Sequence, residues 1–256
     1  MSHFTRAIVR AVPRTLERGL TTARLGAPDY ERACEQHARH VDALRRCGLA
    51  VIQIGADARF PDSVFVEDTA VITARCAVIA HPAAPSRQGE TAAVSEVLRG
   101  IFDTVEHIVS PGTLDGGDVL QVGPQFFIGL SARTNRAGAE QLAQILRDHE
   151  YTAKLVPLRQ FLHLKTGVSH IGGKDLLVAG ELADSPYFQR FSRLLVPSEE
   201  AYCANAVRVN DEVLFPTGYP QTRGCIRAMG YAVTELAVDE FRKVDGGLSG
   251  LSLRIP

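Results

Sequence analysis

Carboxylates cluster in the segment 60–68 of this chain, where Asp62, Glu67 and Asp68 stand next to apolar residues. Carboxylates this close repel one another unless a cation or a metal compensates for their charge. Two interpretations are open. Either Asp62 caps a turn beside a solvated acidic pair, or the three carboxylates surround a bound cation.

Two further segments offer groups for acid–base chemistry. In residues 113–118, glycines beside Asp115 permit a tight backbone near a ligand, although the same residues also suit an ordinary turn. His163 stands among apolar residues at a predicted strand start, where a core histidine is equally expected. It becomes an acid–base residue if a carboxylate site lies beside it.

Arg87 and Arg133 each precede a predicted helix. Positive charge at a helix start opposes the helix dipole, so each arginine is expected to have another partner, such as a substrate carboxylate. Two arginines for a carboxylate and several carboxylates for a cation would fit an amino-acid substrate with a guanidinium end.

Alternating helix and strand periods place these residues at the ends of secondary-structure elements. Helices are predicted over residues 28–48, 89–102, 136–150 and 220–229. Strands or strand pairs are predicted over residues 49–54, 63–81, 105–109, 119–130, 153–158, 164–179, 207–214, 231–236 and 248–255. The weakest unit begins near residue 185. Units that recur roughly every 40 to 60 residues indicate an α/β repeat architecture in one closed domain.

Composition excludes several classes of partner. With a net charge of −1 and 22% charged residues, the chain offers no basic surface for nucleic acid or anionic membrane. No apolar run approaches the roughly 20 residues of a membrane span, and the N-terminus lacks the apolar core of a signal peptide. A cytoplasmic location is expected.

Cysteine usage suggests neither disulfides nor a metal. The five cysteines are odd in number and widely spaced, so free buried thiols are predicted, including Cys203 and Cys225. Cys34, His37 and His40 could form a metal corner on the first helix. Surface histidines beside a buried thiol are the favoured interpretation.

Six segments taken together resemble the dimethylarginine dimethylaminohydrolases, in the order found in that family. They are residues 60–68, 86–90, 113–118, 131–135, 163–167 and 243–250. The similarity runs from about residue 7 to residue 254. The resemblance implies the pentein fold, a five-bladed α/β propeller of αβ modules around a central channel, with one catalytic domain over residues 1–256. In the last segment, Gly250 stands where the family carries its catalytic cysteine.

The resemblance also implies roles for individual residues. His163 would be the acid–base residue and Asp115 the carboxylate that orients it, a position where bacterial relatives often have glutamate. The implied substrate-binding residues are Leu20 in a mobile lid, Asp62, Phe65, Glu67 and Asp68 around the guanidinium, Arg87 and Arg133 at the α-carboxylate, and Asp245.

The implied reaction converts Nω,Nω-dimethyl- or Nω-monomethyl-L-arginine to citrulline. A cysteine thiolate adds to the guanidinium carbon, His163 protonates the departing amine, and water hydrolyses the thiouronium adduct, without metal or organic cofactor. With Gly250 the chain would bind substrate but not turn it over. Gly250 is either an introduced substitution, which the retained His163 and Asp115 favour, or the natural residue of a non-catalytic relative.

Alternative functions are a methylarginine-binding protein without catalysis and an arginine deiminase-type enzyme. The expected partner is methylated L-arginine, and by resemblance to bacterial relatives a homodimer is plausible.

Overall fold

The computed structural model describes residues 3–256, so the first two residues of the domain predicted over 1–256 lie outside the described part. Its strands are β1 Arg6–Arg10, β2 Ala50–Ile54, β3 Ala70–Ile72, β4 Ala77–Ile79, β5 Val105–His107, β6 Val119–Val122, β7 Gln125–Leu130, β8 Thr152–Pro157, β9 Val168–Gly172, β10 Asp175–Val178, β11 Ser192–Leu195, β12 Val207–Val209, β13 Glu212–Pro216, β14 Ala232–Leu236 and β15 Leu253–Ile255. Its α-helices are α1 Tyr30–Arg46, α2 Thr91–Arg99, α3 Arg136–Asp148, α4 Leu164–Gly167, α5 Pro220–Ala228 and α6 Asp239–Arg242.

These strands form five three-stranded sheets, each with its first strand antiparallel to the second and the second parallel to the third. Four sheets use strands that are consecutive in the chain. The fifth joins the C-terminal β15 to the N-terminal β1 and β2, so the two ends of the chain complete one module. The predicted five-bladed α/β propeller is confirmed.

The four predicted helices lie within their predicted ranges and are one to five residues shorter. In α1, the side chain of Asp29 accepts a hydrogen bond from the backbone N–H of Arg32, and Gly48 follows the helix with a φ of 89°. In α3, the side chain of Asn135 caps the backbone N–H of Gly138. The apolar face of α3 packs between the sheet β3–β4–β5 and the sheet β6–β7–β8, where it closes one of the hydrophobic clusters.

The fourth module is irregular, which explains its weak sequence signal. Within the described chain, β10 and β11 are joined by residues 179–191, which contain only the short 3₁₀ turn Gly180–Leu182. The connection between β10 and β11 contains no amphipathic helix, so its sequence has no helical period. Among residues 3–256, no helix combines the length and apolar character that a membrane crossing would require.

A short helical turn precedes the first strand of every sheet. These turns are Val66–Thr69, Gly116–Asp118, α4, Ser198–Ala204 and Leu248–Leu251. The strand predictions over residues 63–69, 164–167 and 248–251 are therefore wrong. A short apolar run in a sequence does not distinguish a buried strand from a buried helical turn. In the closed ring these apolar runs are buried as helical turns. Neighbouring turns contact one another around the ring, which brings distant segments together.

Candidate active site

A cavity of about 400 Å³ opens where these turns meet. Ten of the eleven predicted site residues line it: Leu20, Asp62, Phe65, Glu67, Asp68, Arg87, Arg133, His163, Asp245 and Gly250. The eleventh, Asp115, is fully buried and reaches the cavity through His163. Segments that are far apart in the sequence thus form one continuous wall.

His163 lies at the start of α4, between two carboxylates. Its Nε2 atom is 3.1 Å from Oδ2 of Asp115 and 3.9 Å from Oδ1 of Asp68. Gly117 makes this approach possible, because a Cβ atom there would lie 2.9 Å from the imidazole Cγ and 2.7 Å from Asp68 Oδ1. The backbone N–H of Gly117 also donates to that Asp68 oxygen at 2.9 Å. A glycine is therefore required by packing against the imidazole ring.

The carboxylates hold His163 in its charged form. Burial alone would lower its pKa, but the negative charges of Asp68, Asp115 and Asp118 outweigh burial and raise the pKa to about 9. The pairing with His163 also shifts the pKa of Asp68, in the opposite direction. Its pKa falls to about 2, because His163 and Arg87 offset the cost of burying its charge. At neutral pH, His163 is an imidazolium that can donate a proton.

Asp118 holds the backbone next to His163 in place, a role that sequence reasoning missed. Its buried carboxylate accepts hydrogen bonds from the hydroxyls of Ser131 and Thr134, both at 2.7 Å, and from the backbone N–H of Leu164 at 2.9 Å. Burial raises the pKa of Asp118 to about 6. Because Leu164 follows His163, these bonds fix the backbone that carries the imidazole.

Arg87 finds its partners within the protein. Its guanidinium is buried, with Nη1 2.8 Å from Asp68 Oδ2 and Nη2 2.8 Å from Oε2 of Glu90. Its Nη2 atom also points toward the carbonyl oxygens of Asp62 and Phe65. The sequence led us to expect a substrate carboxylate as the partner of Arg87. In the structure its partners are two carboxylates of the protein itself. Burial raises the pKa of Glu90 to about 7 against the opposing charge of Arg87.

Arg133 is the less engaged of the two arginines. It is half-buried on the cavity wall, and its Nη1 atom is buried with no hydrogen-bond partner among the described residues. A buried guanidinium donor without a partner is costly, so an acceptor on a ligand would stabilise it. The position and free donor of Arg133 fit an anion inside the cavity.

Asp62 and Asp245 hold the segment that carries Leu20. The backbone N–H of Leu20 donates to Oδ1 of Asp62 at 3.0 Å. Asp245 accepts from the backbone N–H groups of Thr22 at 2.5 Å and Ala23 at 3.1 Å. These bonds fasten residues 20–23 over the cavity, so the carboxylate of Asp245 serves the covering segment in this conformation.

Gly250 lies in the turn Leu248–Leu251, at the cavity wall beside Phe65. A Cβ atom built on Gly250 would lie 3.2 Å from Cδ1 of Phe65, with no backbone atom among its nearest neighbours, and Gly250 is not among the residues with positive φ. A side chain at this position therefore needs only a small movement of the Phe65 ring. The backbone conformation at this position does not require glycine.

Below the cavity lies an ion-pair cluster whose basic members sequence reasoning missed. Glu67 is buried, with Oε1 2.7 Å from Nζ of Lys165 and 2.6 Å from Nη2 of Arg254. Its Oε2 atom accepts from the hydroxyl of Ser249 at 2.6 Å. Burial alone would raise the pKa of Glu67, but the two cations lower it. On the far side of this cluster is a second cavity of about 690 Å³ along the ring axis.

Asp68, Asp115 and His163 are close enough for one atom of each to contact a metal ion, with these atoms within 4.8 Å of one another. Two of these atoms already contact each other in the His163–Asp115 hydrogen bond, and Asp68 is engaged by Arg87. The prediction of a metal-free site stays a prediction.

Two expectations for cysteines and histidines are wrong. His37 and His40 are buried on the inner face of α1, with 5% and 0% exposure, because that face packs into the first hydrophobic cluster. Cys76 and Cys203 are buried as expected, but Cys34 and Cys47 are only half-buried. Cys225 is exposed, since it lies on the outer face of α5.

Comparison with known proteins gives consistent matches. A family model described as arginine deiminase matches residues 59–210. An N(G),N(G)-dimethylarginine dimethylaminohydrolase from Pseudomonas aeruginosa is 46% identical over 252 residues, which cover 98% of this chain and 99% of that protein. A protein of the same name from Streptomyces coelicolor is 32% identical over 251 residues, covering 98% of this chain and 96% of the relative.

A solved structure extends these matches to three dimensions. It is the Pseudomonas aeruginosa enzyme as a cysteine-to-serine mutant complexed with citrulline. It matches with a TM-score of 0.98 and 45% identity, over 99% of this chain and all of that one.

Proposed function

This chain belongs to the dimethylarginine dimethylaminohydrolase family, and on that basis we propose that it binds Nω-methylated L-arginine as a single catalytic unit of five modules. The proposal extends to the reaction of that family, hydrolysis to citrulline and a methylated amine. It includes the claim that Gly250 occupies the position of the nucleophilic cysteine. Homodimer formation and a cytoplasmic location are further proposals that rest on resemblance.

The guanidinium end of the ligand is assigned to the acidic side of the cavity. Asp68 is held ionised there, with the charge of Glu67 below it and the ring of Phe65 beside it. A guanidinium is resonance-stabilised, so carboxylates that hold its cationic form also fix its carbon for attack. His163 stands next to Asp68, in position to protonate a departing amine.

The amino-acid end is assigned to the basic side. Arg133 offers its unpartnered Nη1 to the α-carboxylate. Arg87, which is paired with Asp68 and Glu90, adds a positive charge nearby. Asp62 lies beside both arginines, which oppose the rise that burial causes in its pKa. Because an α-amine adjoins the α-carboxylate, Asp62 is placed to accept it, and the bond from Leu20 to Asp62 would then couple binding to the covering segment.

One observation carries the proposal: Gly250 shares a cavity with the His163–Asp115 pair and has room for a side chain. A thiol there would add to the guanidinium carbon, and after amine departure water would cleave the adduct. Glycine supplies no such atom. Loss of a covalent nucleophile costs on the order of 10⁴ to 10⁶ in rate, so the chain as it stands binds without turnover.

The test compares the chain as it stands with the Gly250→Cys variant. Calorimetry with asymmetric dimethylarginine should show binding to both, and citrulline release should appear only in the variant. Gly224 lies on α5, where an added Cβ atom would have no neighbour within 4 Å, and it offers the control Gly224→Cys, which should stay inactive. The proposal would be refuted if dimethylarginine bound to neither form.

Two other functions are separated by the same experiment. A binding protein without catalysis predicts affinity for dimethylarginine and no citrulline even after Gly250→Cys. An arginine deiminase-type enzyme predicts that Gly250→Cys prefers unmethylated arginine and releases ammonia.

A further inference from the structure

Ser249, the residue before Gly250, has every polar atom held by a hydrogen bond. Its backbone N–H donates to Oδ1 of Asn205 at 2.8 Å, and its hydroxyl accepts from Nδ2 of Asn205 at 2.9 Å. The hydroxyl in turn donates to Oε2 of Glu67 at 2.6 Å, and the carbonyl accepts from Nη1 of Arg254 at 3.2 Å. The turn that carries position 250 is therefore fixed from three directions.

Asn205 also reaches the turn that carries His163. Its Nδ2 atom donates to the carbonyl oxygen of Lys165 at 2.9 Å, two residues beyond His163. The side chain is buried at 7% exposure, and its one acceptor and two donors are all used. One planar amide thus joins two turns that come from different modules.

The packing leaves this amide no freedom. A Cβ atom at Gly247 would lie 2.5 Å from Oδ1 and 2.7 Å from Cγ of Asn205, so the turn runs flat against the amide plane. Asn205 itself follows directly after the turn Ser198–Ala204, which precedes β12. Neither the amide nor the turn can shift without the other.

We infer that Asn205 is a positioning residue, which sets the location of residue 250 relative to His163. This inference rests on the proposed function, since it concerns where a nucleophile at position 250 would stand. Attack on a guanidinium carbon and protonation of its leaving amine must occur on one bound substrate, so the two groups need a fixed separation. A misplacement of about 1 Å commonly costs on the order of 10²-fold in rate.

The inference separates Asn205 from residues that only bind substrate. Asn205 lines the cavity, but its polar atoms are all bound to protein groups and leave none for the ligand. Its loss should therefore lower kcat and leave affinity nearly unchanged. The molecule allows these effects to be measured apart, because the Gly250 form reports binding without chemistry and the Gly250→Cys form reports turnover.

The test places Asn205→Ala in both forms. Dimethylarginine should bind the Gly250 form within about threefold of its parent, whereas kcat in the Gly250→Cys form should fall roughly 10²-fold. Asn205→Asp is the second variant, for use if alanine prevents folding. It keeps the shape and the acceptor for Ser249 N–H but cannot donate to the carbonyl oxygen of Lys165 or to the hydroxyl of Ser249, so kcat should again fall more than affinity.

Asn210→Ala is the matched control. Asn210 also makes long-range hydrogen bonds, partly buried, to the backbone of Phe4 and Cys47, but it lines the second cavity and not the candidate active site. It should lower stability without changing kcat. An equal loss of kcat in both variants, or no loss in Asn205→Ala, would overturn the inference.

A structural readout keeps the result independent of turnover. Crystal structures of the Asn205→Ala and parent proteins should show a shift of residue 250 relative to His163 Nε2 that Asn210→Ala lacks. An unmoved turn overturns the inference even if the parent proves inactive. Failure of the proposed function alone would appear differently, as a shifted turn in a protein with no affinity for dimethylarginine.

Discussion

The imidazole of His163 makes one hydrogen bond to Asp115, between Nε2 and Oδ2 at 3.1 Å. The second oxygen of Asp115, Oδ1, is buried and has no hydrogen-bond partner among the described residues. The imidazole Nε2 is therefore the one hydrogen-bond partner of this carboxylate among the described residues. This arrangement orients the ring and stabilises the imidazolium in a way that a neutral side chain of the same shape could not.

Replacing Asp115 by asparagine should therefore impair catalysis more than folding. In the Gly250→Cys form we expect Asp115→Asn to lower kcat by roughly 10² to 10⁴, the usual range for an acid–base contribution. Citrulline release measures kcat, and thermal unfolding checks that the fold persists. Asp148→Asn, at an exposed carboxylate at the end of α3, is the matched control and should leave kcat unchanged. Equal activity of Asp115→Asn and its parent would remove Asp115 from the mechanism.

Ligand binding should become tighter as pH rises. Below its pKa of about 9, His163 carries a proton whose charge is satisfied by Asp68 and Asp115. A guanidinium that enters beside Asp68 competes with this imidazolium, so binding lowers the pKa of His163 and releases part of its proton. The fraction that stays protonated remains the acid for the departing amine. Affinity of the Gly250 form for dimethylarginine should then increase between pH 6.5 and pH 8.5, by at most about tenfold per pH unit.

Calorimetry in two buffers of different ionisation enthalpy measures the released proton directly. The variant His163→Gln has no titrating group there and should bind with little dependence on pH over the same interval. A parent whose affinity is flat with pH, with no buffer-dependent heat, would contradict the competition between imidazolium and guanidinium.

The sequence predicted those parts of the fold and site that leave local signals. Helices α1, α2, α3 and α5 are readable because their apolar periods and end signals lie within a few residues of their effect. The clusters around Asp68 and His163 were readable for a similar reason, since charged residues interrupt apolar runs. Their convergence into one cavity required the resemblance in motif order, because nothing local brings them together.

Contacts between modules could not be predicted in this way. Arg254 and Ser249 contact Glu67 across 187 and 182 residues of sequence. Asn205 carries no feature in the sequence that sets it apart from an ordinary loop asparagine. Such residues act only after the ring has closed, so their role is visible in three dimensions alone.

Arg133 should contribute most of the recognition of the α-carboxylate. A charge-assisted hydrogen bond is worth about 1.5 to 3 kcal/mol, so Arg133→Ala should weaken dimethylarginine binding roughly 10- to 100-fold. An analogue without the carboxylate should bind the parent weakly and lose little more in Arg133→Ala. Calorimetry measures both, with Arg136→Ala as the control at an exposed arginine nearby. Equal losses for both ligands would show that Arg133 does not contact the carboxylate.

Acid should destabilise the protein through the two buried histidines of α1. Burial lowers the pKa of His37 to about 4 and of His40 to about 3, whereas both titrate near 6.5 in the unfolded chain. Between these values the unfolded state binds protons that the folded state does not, so stability is present above pH 6.5 and is lost as pH falls. The loss by pH 5 is roughly 2 kcal/mol for each histidine.

The variant His40→Leu isolates one of these two contributions. Both ring nitrogens of His40 lack hydrogen-bond partners among the described residues, so leucine removes a titrating group and breaks no bond. Urea unfolding at pH 7 and pH 5 should show a smaller loss of stability in His40→Leu than in its parent, by about 2 kcal/mol. His107→Gln, at an exposed histidine on β5, should lose as much as the parent. An identical acid sensitivity of His40→Leu and its parent would show that His40 does not take up a proton on unfolding.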